Sequence, residues 1–357
     1  MCRIRAGLLG FGWVNRSVWL PRMRRDPRYE VVAVLDPAAP EGTEHLCASL
    51  SEFFACGLDV VVIGTPNRTH AELACAVLEQ GVPVVVEKPL CLSGTEFTRL
   101  AEHALASHTG LLVSRPALRR TDVRALAERM PRGPVHMQAG WLRTHGTPRP
   151  GSWFTRRGEA GGGALLDLGW HLADVALGLL GYPHPRSVTA QLTPLSMAPS
   201  GGLGPALWRG DATVSAGDVE ASRPDVDGDG SLVASFAGGS SLALRAAWVS
   251  DTPVDTTRFI IEVGAHRLEL TTTFGFSPHR VTEPVLSVSR SRGTERIALV
   301  AEIGQEYDAQ LDAVAEFVAG KLDWKTELGE SAAVLALLDQ AYRVAGRPLV
   351  PVDKPAR

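Results

Sequence analysis

The sequence predicts two domains: a doubly wound α/β domain on a parallel sheet, then an α+β domain with a largely antiparallel sheet. Three observations carry this. In the first third, short strands that are apolar throughout alternate with helical segments, the pattern of strands covered on both faces. The first of these strands runs directly into Gly10-Phe11-Gly12. Later strands instead alternate apolar and polar residues, as half-exposed antiparallel strands do. A chain of 357 residues suits two domains of ordinary size, and they are expected at 1–118 and 119–357.

Composition narrows the partners. Hydrophobic content of 45% and charged content of 21% are globular values. A net charge of -3 with interspersed signs offers no basic stripe for nucleic acid, so a small molecule is the expected partner. Cys2, Cys47, Cys56, Cys75 and Cys91 are odd in number and never fall in a C-x-x-C spacing, which suits free thiols in a reducing compartment. With no secretory leader and no stretch that reads as a bilayer span, a cytoplasmic protein with no membrane partner is expected.

Arg3 to Leu9 is the first strand, and the segment from Trp13 to Arg25 after the glycine turn can begin a helix. Gly10 permits a tight turn and Gly12 lets backbone approach a pyrophosphate at the helix N-terminus. Asn15 stands at the third fingerprint position and Pro21 lies inside the helix, so a purely structural turn is also open. Glu30 to Asp36 is a second buried strand ending in an acid. Asp36 can accept both adenosine ribose hydroxyls and would repel a 2'-phosphate, which favours NAD over NADP; a strand-end acid capping a turn is the plainer alternative. From Pro37 to Gly42 the chain is turn-rich, and a full helix scarcely fits before the next strand, Asp59 to Thr65. Pro66-Asn67-Arg68-Thr69-His70 follows, then a helix over Thr69 to Gln80.

Val82 to Val86 is the fourth strand and ends in Glu87-Lys88-Pro89. Lys88 is the only lysine in the first 320 residues of a chain with 4 lysines and 32 arginines. A lysine can lose or share its proton when desolvated and an arginine cannot, although a surface lysine past a strand end is equally simple. A helix over Thr95 to Ser107 and a strand over Leu111 to Ser114 complete the domain. Ligands of such sheets sit beyond the carboxyl ends of the strands, where Gly10, Asp36, Pro66 and Lys88 all fall.

In the second domain, strands are expected at Val135–Arg143, Arg186–Leu192, Ser231–Phe236, Ser240–Trp248, Phe259–Val263 and His266–Leu270, with helices at Gln305–Gly320 and Gly329–Gly346. Pro194 to Asp229 reads as a long loop, a candidate lid. Within it Asp225-Val226-Asp227-Gly228-Asp229-Gly230 mimics the start of a calcium loop, but Phe236 occupies the twelfth position, where a bidentate Glu is needed; no metal is expected. Gly161-Gly162-Gly163 opens a helix over Ala164 to Leu180 on which Asp167, His171 and Asp174 share one face. An acid beside an imidazole can fix its tautomer and raise its basicity. A buried structural histidine is the alternative, and no third ligand cluster supports a metal.

These motifs in this order resemble the Gfo/Idh/MocA family of NAD(P)-dependent dehydrogenases. The resemblance rests on the glycine turn, Thr65-Pro66-Asn67 with His70, Glu87-Lys88-Pro89, and Gly161-Gly162-Gly163 with Asp167 and His171. It implies a Rossmann domain and an open-faced sheet domain that assembles homodimers or homotetramers. It implies that Lys88, Asp167 and His171 are catalytic, acting on an alcohol of a sugar, aminosugar or cyclitol. Cofactor contacts are implied at Gly10, Phe11, Gly12, Trp13, Val14, Asp36, Thr65, Pro66, Asn67, His70, Glu87 and Lys88. Arg120, beside Arg119, and Trp153 join Asp167 and His171 as implied substrate contacts. The family also includes non-catalytic NAD-binding sensors and redox-assisted glycosidases, and both stay open from the sequence. The arginine-rich, GC-biased composition suits secondary-metabolite, for example aminoglycoside, biosynthesis.

Overall fold

The computed structural model describes residues 3–144, 146–149, 151–196 and 223–349. The chain divides into two compact units, one of Met1–Pro116 with Gly304–Ala332 and one of Ala117–Ile303 with the residues from Ala333 onward. The expected domains ran unbroken through 1–118 and 119–357; packing instead assigns 304–332 to the first unit.

In the first unit, strands β1 (Ile4–Leu9), β2 (Tyr29–Leu35), β3 (Val60–Ile63), β4 (Val84–Val86) and β5 (Leu111–Val113) form a parallel sheet in the order β2-β1-β3-β4-β5. Every side chain of β3, β4 and β5 is fully buried, which is why these strands are apolar throughout. The order reverses at β1, so a crevice opens at the carboxyl ends of β1 and β3. Helices α1 (Leu20–Arg25), α2 (Leu50–Ala55), α3 (His70–Glu79) and α4 (Gly94–Ser107) connect the strands. The turn-rich stretch after Asp36 reduces a further edge strand to one parallel bridge between Val34 and Leu46. α2 is only six residues long and is capped by Ser49, whose side chain accepts from Glu52 N–H.

Pro21 does not end the first helix. Val14–Trp19 is wound as a π-helix that hands over to α1, with Pro21 in its first turn. Pro21 has no N–H to give the preceding turn, and the wider π winding absorbs that loss. The helix Gln305–Val318 (α8) belongs to the same unit. Tyr307 meets Trp19 edge to face at 5.7 Å, and Arg22 pairs with Asp308 at 3.1 Å.

The second unit holds α5 (Thr121–Ala127), β6 (His136–Leu142), α6 (Arg157–Ala160) and α7 (Ala164–Leu180). Strands β7 (Pro185–Pro194), β8 (Asp227–Phe236), β9 (Ser241–Ala247), β10 (Thr256–Val263), β11 (His266–Thr272), β12 (Val285–Arg290) and β13 (Gly293–Ala298) follow. The sheet runs β13-β12-β11-β10-β6-β9-β8-β7, antiparallel except where β6 meets β9. Its inner face, including Met137, Ala139, Leu232, Ala234, Leu242, Leu244 and Ala246, is buried. α7 packs on β6, β8 and β9. Its opposite face carries cross-strand ion pairs such as Arg258 with Glu269 and Arg245 with Asp229. The last helix, α9 (Trp324–Val344), spans the point at 332 where the units divide.

The Asp227 to Gly230 run lies within β8 rather than in a loop, and residues 197–222 of the expected lid lie outside the described residues. The stretch Arg157–Leu180 is long and apolar enough by composition to cross a bilayer, which the sequence reading did not anticipate; 72% of its most apolar window is buried inside the protein, as a core helix is.

Candidate active site

The glycine turn sits at the carboxyl end of β1. Gly10 has φ +80°, and a Cβ there would lie 2.8 Å from the Gly64 carbonyl oxygen, so only glycine fits. Gly12 differs: a Cβ there would meet nothing nearer than Gly64 O at 3.9 Å. The protein itself does not require glycine at 12, which leaves the space beside that backbone as the reason for it. Asn15 replaces the small residue of the usual fingerprint and takes over the turn, its Nδ2 donating to Leu9 O (3.0 Å) and Gly10 O (2.7 Å) while fully buried. Asp36, half-buried at the end of β2, accepts from Phe11 N–H (2.5 Å) and Ala38 N–H (2.7 Å), which locks its carboxylate against the turn. Trp13 and Val14 are half-buried on the helical side of the turn. A glycine at 12 that packing does not require, joined to an acid at the end of the next strand, fits a dinucleotide.

At the ends of β3 and β4, His70 ties two loops together. Its Nδ1 lies 2.7 Å from Pro89 O and its Nε2 3.0 Å from Thr65 O, with the residue 1% exposed. Burial holds its pKa below the ordinary histidine value, against the pull of the two carbonyls, and the charge of Lys88 acts in the same direction as burial. His70 therefore shapes the loops from within rather than offering a ring to a ligand. Thr65 accepts from the Thr69 hydroxyl at 2.7 Å, Pro66 is half-buried beside it, and Asn67 is buried in the short turn that starts α3. Glu87 is likewise internal: Oε1 accepts from Trp19 Nε1 at 2.8 Å, and burial raises its carboxyl pKa against the lowering effect of that bond and of Lys88. Lys88, half-buried, is the residue of the tripeptide that reaches the surface of the crevice end.

In the second unit, α7 begins on Gly161-Gly162-Gly163 for steric reasons. A Cβ on Gly162 would stand 2.3 Å from Tyr342 Oη, and one on Gly163 would stand 1.8 Å from Asp227 O. Buried Asp227 caps the helix from another strand: Oδ1 accepts from Gly163 N–H (2.8 Å) and from Tyr342 O–H (2.7 Å), and Oδ2 accepts from Leu165 N–H (2.9 Å). Burial raises the Asp227 carboxyl pKa and these three donors oppose it. The sequence hinted at Asp227 only as part of a rejected calcium pattern; its capping role needs the strand to arrive from more than sixty residues away.

Asp167 and His171 lie half-buried on one side of α7. Trp248 Nε1 donates to Asp167 Oδ2 at 3.1 Å, and the Trp141 ring stands 5.8 Å from the His171 ring. Neither tryptophan was singled out from the sequence, because a strand-end aromatic looks like any core residue. Asp174, expected on the same face, is 2% exposed and covered by Tyr182, whose hydroxyl donates to Asp174 Oδ1 at 3.3 Å. It lies further along the stripe, under the chain that follows the helix.

Arg120 is not presented to a ligand. It is 4% exposed, grips Asp122 through two bonds (3.0 and 2.8 Å) and lies 4.6 Å over the Phe274 ring. Arg119 is half-buried. Trp153 is half-buried with its ring 3.9 Å from that of Phe154. Arg120→Ala is therefore expected to destabilise the fold by about 3–5 kcal/mol, because it strands a buried carboxylate. A denaturation midpoint unchanged beside a raised KM would return Arg120 to the substrate.

Similarity to known proteins extends over both parts of the chain. Residues 4–114 match the oxidoreductase family with an NAD-binding Rossmann fold, and residues 122–273 match the GFO/IDH/MocA C-terminal domain. The chain is 37% identical over 356 residues, 96% of each chain, to a protein of Amycolatopsis mediterranei (strain S699) named as a candidate UDP-kanosamine synthase oxidoreductase subunit. Two solved structures share the fold. GenD2 from gentamicin A biosynthesis, in complex with NAD, gives a TM-score of 0.76 at 23% identity over 97% of this chain and 95% of that one. KijD10, a 3-ketoreductase from Actinomadura kijaniata in complex with NADP and TDP-benzene, gives 0.75 at 20% identity over 96% and 98%.

Proposed function

The chain belongs to the Gfo/Idh/MocA oxidoreductase family, and from that membership we propose that it transfers a hydride between NAD and a secondary alcohol, or the matching ketone, of a sugar, aminosugar or cyclitol. The observation that carries this is the half-buried Asp167 and His171 pair on α7, in a chain that also carries a half-buried Lys88 just after β4. A protein that only sensed the dinucleotide would have no use for all three. Within the substrate class, the Amycolatopsis relative favours an aminosugar carried on a nucleoside diphosphate, and with it a place in secondary metabolism.

Gly10, Phe11, Gly12 and Asp36 would hold the cofactor at its pyrophosphate and adenosine ribose, and Thr65, Pro66 and Asn67 would line its course towards Lys88. When bound, the nicotinamide supplies the hydride acceptor or donor. His171 removes the hydroxyl proton as the carbon is oxidised, Asp167 orients His171 and favours its protonated form, and the Lys88 ammonium stabilises the developing alkoxide. In reduction the same groups return the proton to the ketone oxygen. Four described cysteines, Cys47, Cys56, Cys75 and Cys91, are free thiols, which supports a cytoplasmic enzyme. A homodimer or homotetramer is the assembly proposed.

The cofactor preference is tested by thermal shift with NAD⁺, NADH and NADP⁺. A ligand at 100 times its Kd adds about 2.7 kcal/mol. A clear shift with NAD(H), absent with NADP⁺ and reduced by Asp36→Ala, is the expected result. An equal response to NADP⁺ would remove the role given to Asp36, whose surroundings from 37 to 44 carry two acids and no base, with Arg24 already paired to Glu44.

A further inference from the structure

We infer that Trp248 is a positioning residue for the reaction: its indole N–H fixes the Asp167 carboxylate and so aligns the helical pair that handles the proton. The inference rests on the catalytic reading of Asp167 and His171 given above.

Three tryptophans are buried on or against α7: Trp141, Trp170 and Trp248. Among the described residues, the buried indole N–H groups of Trp141 and Trp170 meet no hydrogen-bond acceptor. Trp248 alone of the three is partnered, and its acceptor is Asp167 Oδ2 at 3.1 Å. A hydrogen bond to a carboxylate is stronger than a neutral one and is directional. It commits one of the two oxygens of Asp167 to the sheet and fixes the rotation of the carboxylate plane.

The backbone shows that this contact is anchored at both ends. Trp248 N–H donates to Gly228 O at 2.9 Å, immediately after β9. The residue before Gly228 is Asp227, whose side chain caps α7 through Gly163 and Leu165. Two consecutive residues of β8 thus fix both the tryptophan and the first turn of the helix, and Asp167 is in that turn. On the neighbouring strand β6, Trp141 lies against His171, with Phe274 packed edge to face behind it at 5.7 Å. Each member of the pair therefore has its own tryptophan, one within β6 and one just past the end of the adjacent β9, and only the contact to the acid is a hydrogen bond.

Trp248→Phe removes the N–H and keeps most of the ring. It is expected to lower kcat about 10-fold, the lower end of the cost of losing a supporting contact, with KM for NAD unchanged. Combined with Asp167→Asn it should lower kcat no further than Asp167→Asn alone, because its effect runs through that carboxylate. Full kcat in Trp248→Phe beside an impaired Asp167→Asn overturns the inference and leaves the catalytic reading standing. Multiplying effects in the double variant overturn it as well. Full activity in Asp167→Asn overturns the catalytic reading, and the inference falls with it. Should Trp248→Phe not fold, the eight indole N–H resonances of ¹⁵N-tryptophan-labelled protein give a second test. One of them should move upfield in Asp167→Asn; if none moves, the hydrogen bond is not made in solution.

Discussion

Lys88→Ala and His171→Ala are each expected to lower kcat by at least about 100-fold, the usual scale for removing a group that moves a proton or stabilises developing charge. The loss should appear in kcat and in kcat/KM together, because neither interaction is made fully before the transition state. NAD binding should persist in both variants, since the cradle at Gly10 to Gly12 and the carboxylate of Asp36 are built without either side chain. Stability should change little: both residues are half-buried, and the groups that hold the Lys88 loop are buried His70 and Glu87. Lys88→Arg should rescue poorly, because a planar guanidinium cannot take the place of a compact ammonium. Retention of more than about a tenth of the wild-type rate by Lys88→Ala or His171→Ala would remove that residue from the chemistry.

The second large effect is on folding. Gly163→Ala places a methyl group 1.8 Å from the carbonyl oxygen of Asp227 and 2.7 Å from its backbone nitrogen and carbon. These are backbone atoms of a buried residue at the start of β8 and cannot yield as a flexible side chain would. The substitution should destabilise the protein by about 3 kcal/mol or more, and it also dislodges the cap of α7. Urea denaturation of the pure variant measures this directly. Gly12→Ala makes the contrast: the nearest atom to its methyl group is 3.9 Å away, so the midpoint should hold while NAD affinity falls. A Gly163→Ala variant as stable as the wild type would mean that α7 starts elsewhere, and the placing of Asp167 and His171 would go with it.

Much of this architecture is legible in the sequence because burial writes itself into composition. Val60–Ile63 and Val84–Val86 are apolar at every position because both faces of the parallel sheet are covered. The alternation in β10 and β11 appears because only one face of the second sheet is buried. What stays hidden depends on distant partners. β13 carries glycine, threonine and charge where apolar residues would have marked it, since it is the edge strand of its sheet and buries little. Nothing local in 304–332 says that it packs with the first unit. His70 and Glu87 carry the chemistry of site residues and serve as internal braces, and Arg120 carries that of an anion contact and closes on Asp122. Asp227 and Trp248 act on α7 only because β8 and β9 pass beneath it. In each case the residue type was readable and the partner was not.

The central claim is net hydride transfer to NAD from a sugar-like alcohol. The most direct measurement is NADH formation, followed by its near-ultraviolet absorbance, when the enzyme and NAD⁺ meet a panel of free and nucleoside-diphosphate-linked sugars, aminosugars and cyclitols, with His171→Ala run in parallel. NADH accumulating in step with a keto product lighter by two hydrogens, and lost in His171→Ala, is the predicted result. Consumption of a substrate with no net NADH, or NADH formation untouched by His171→Ala, would contradict it.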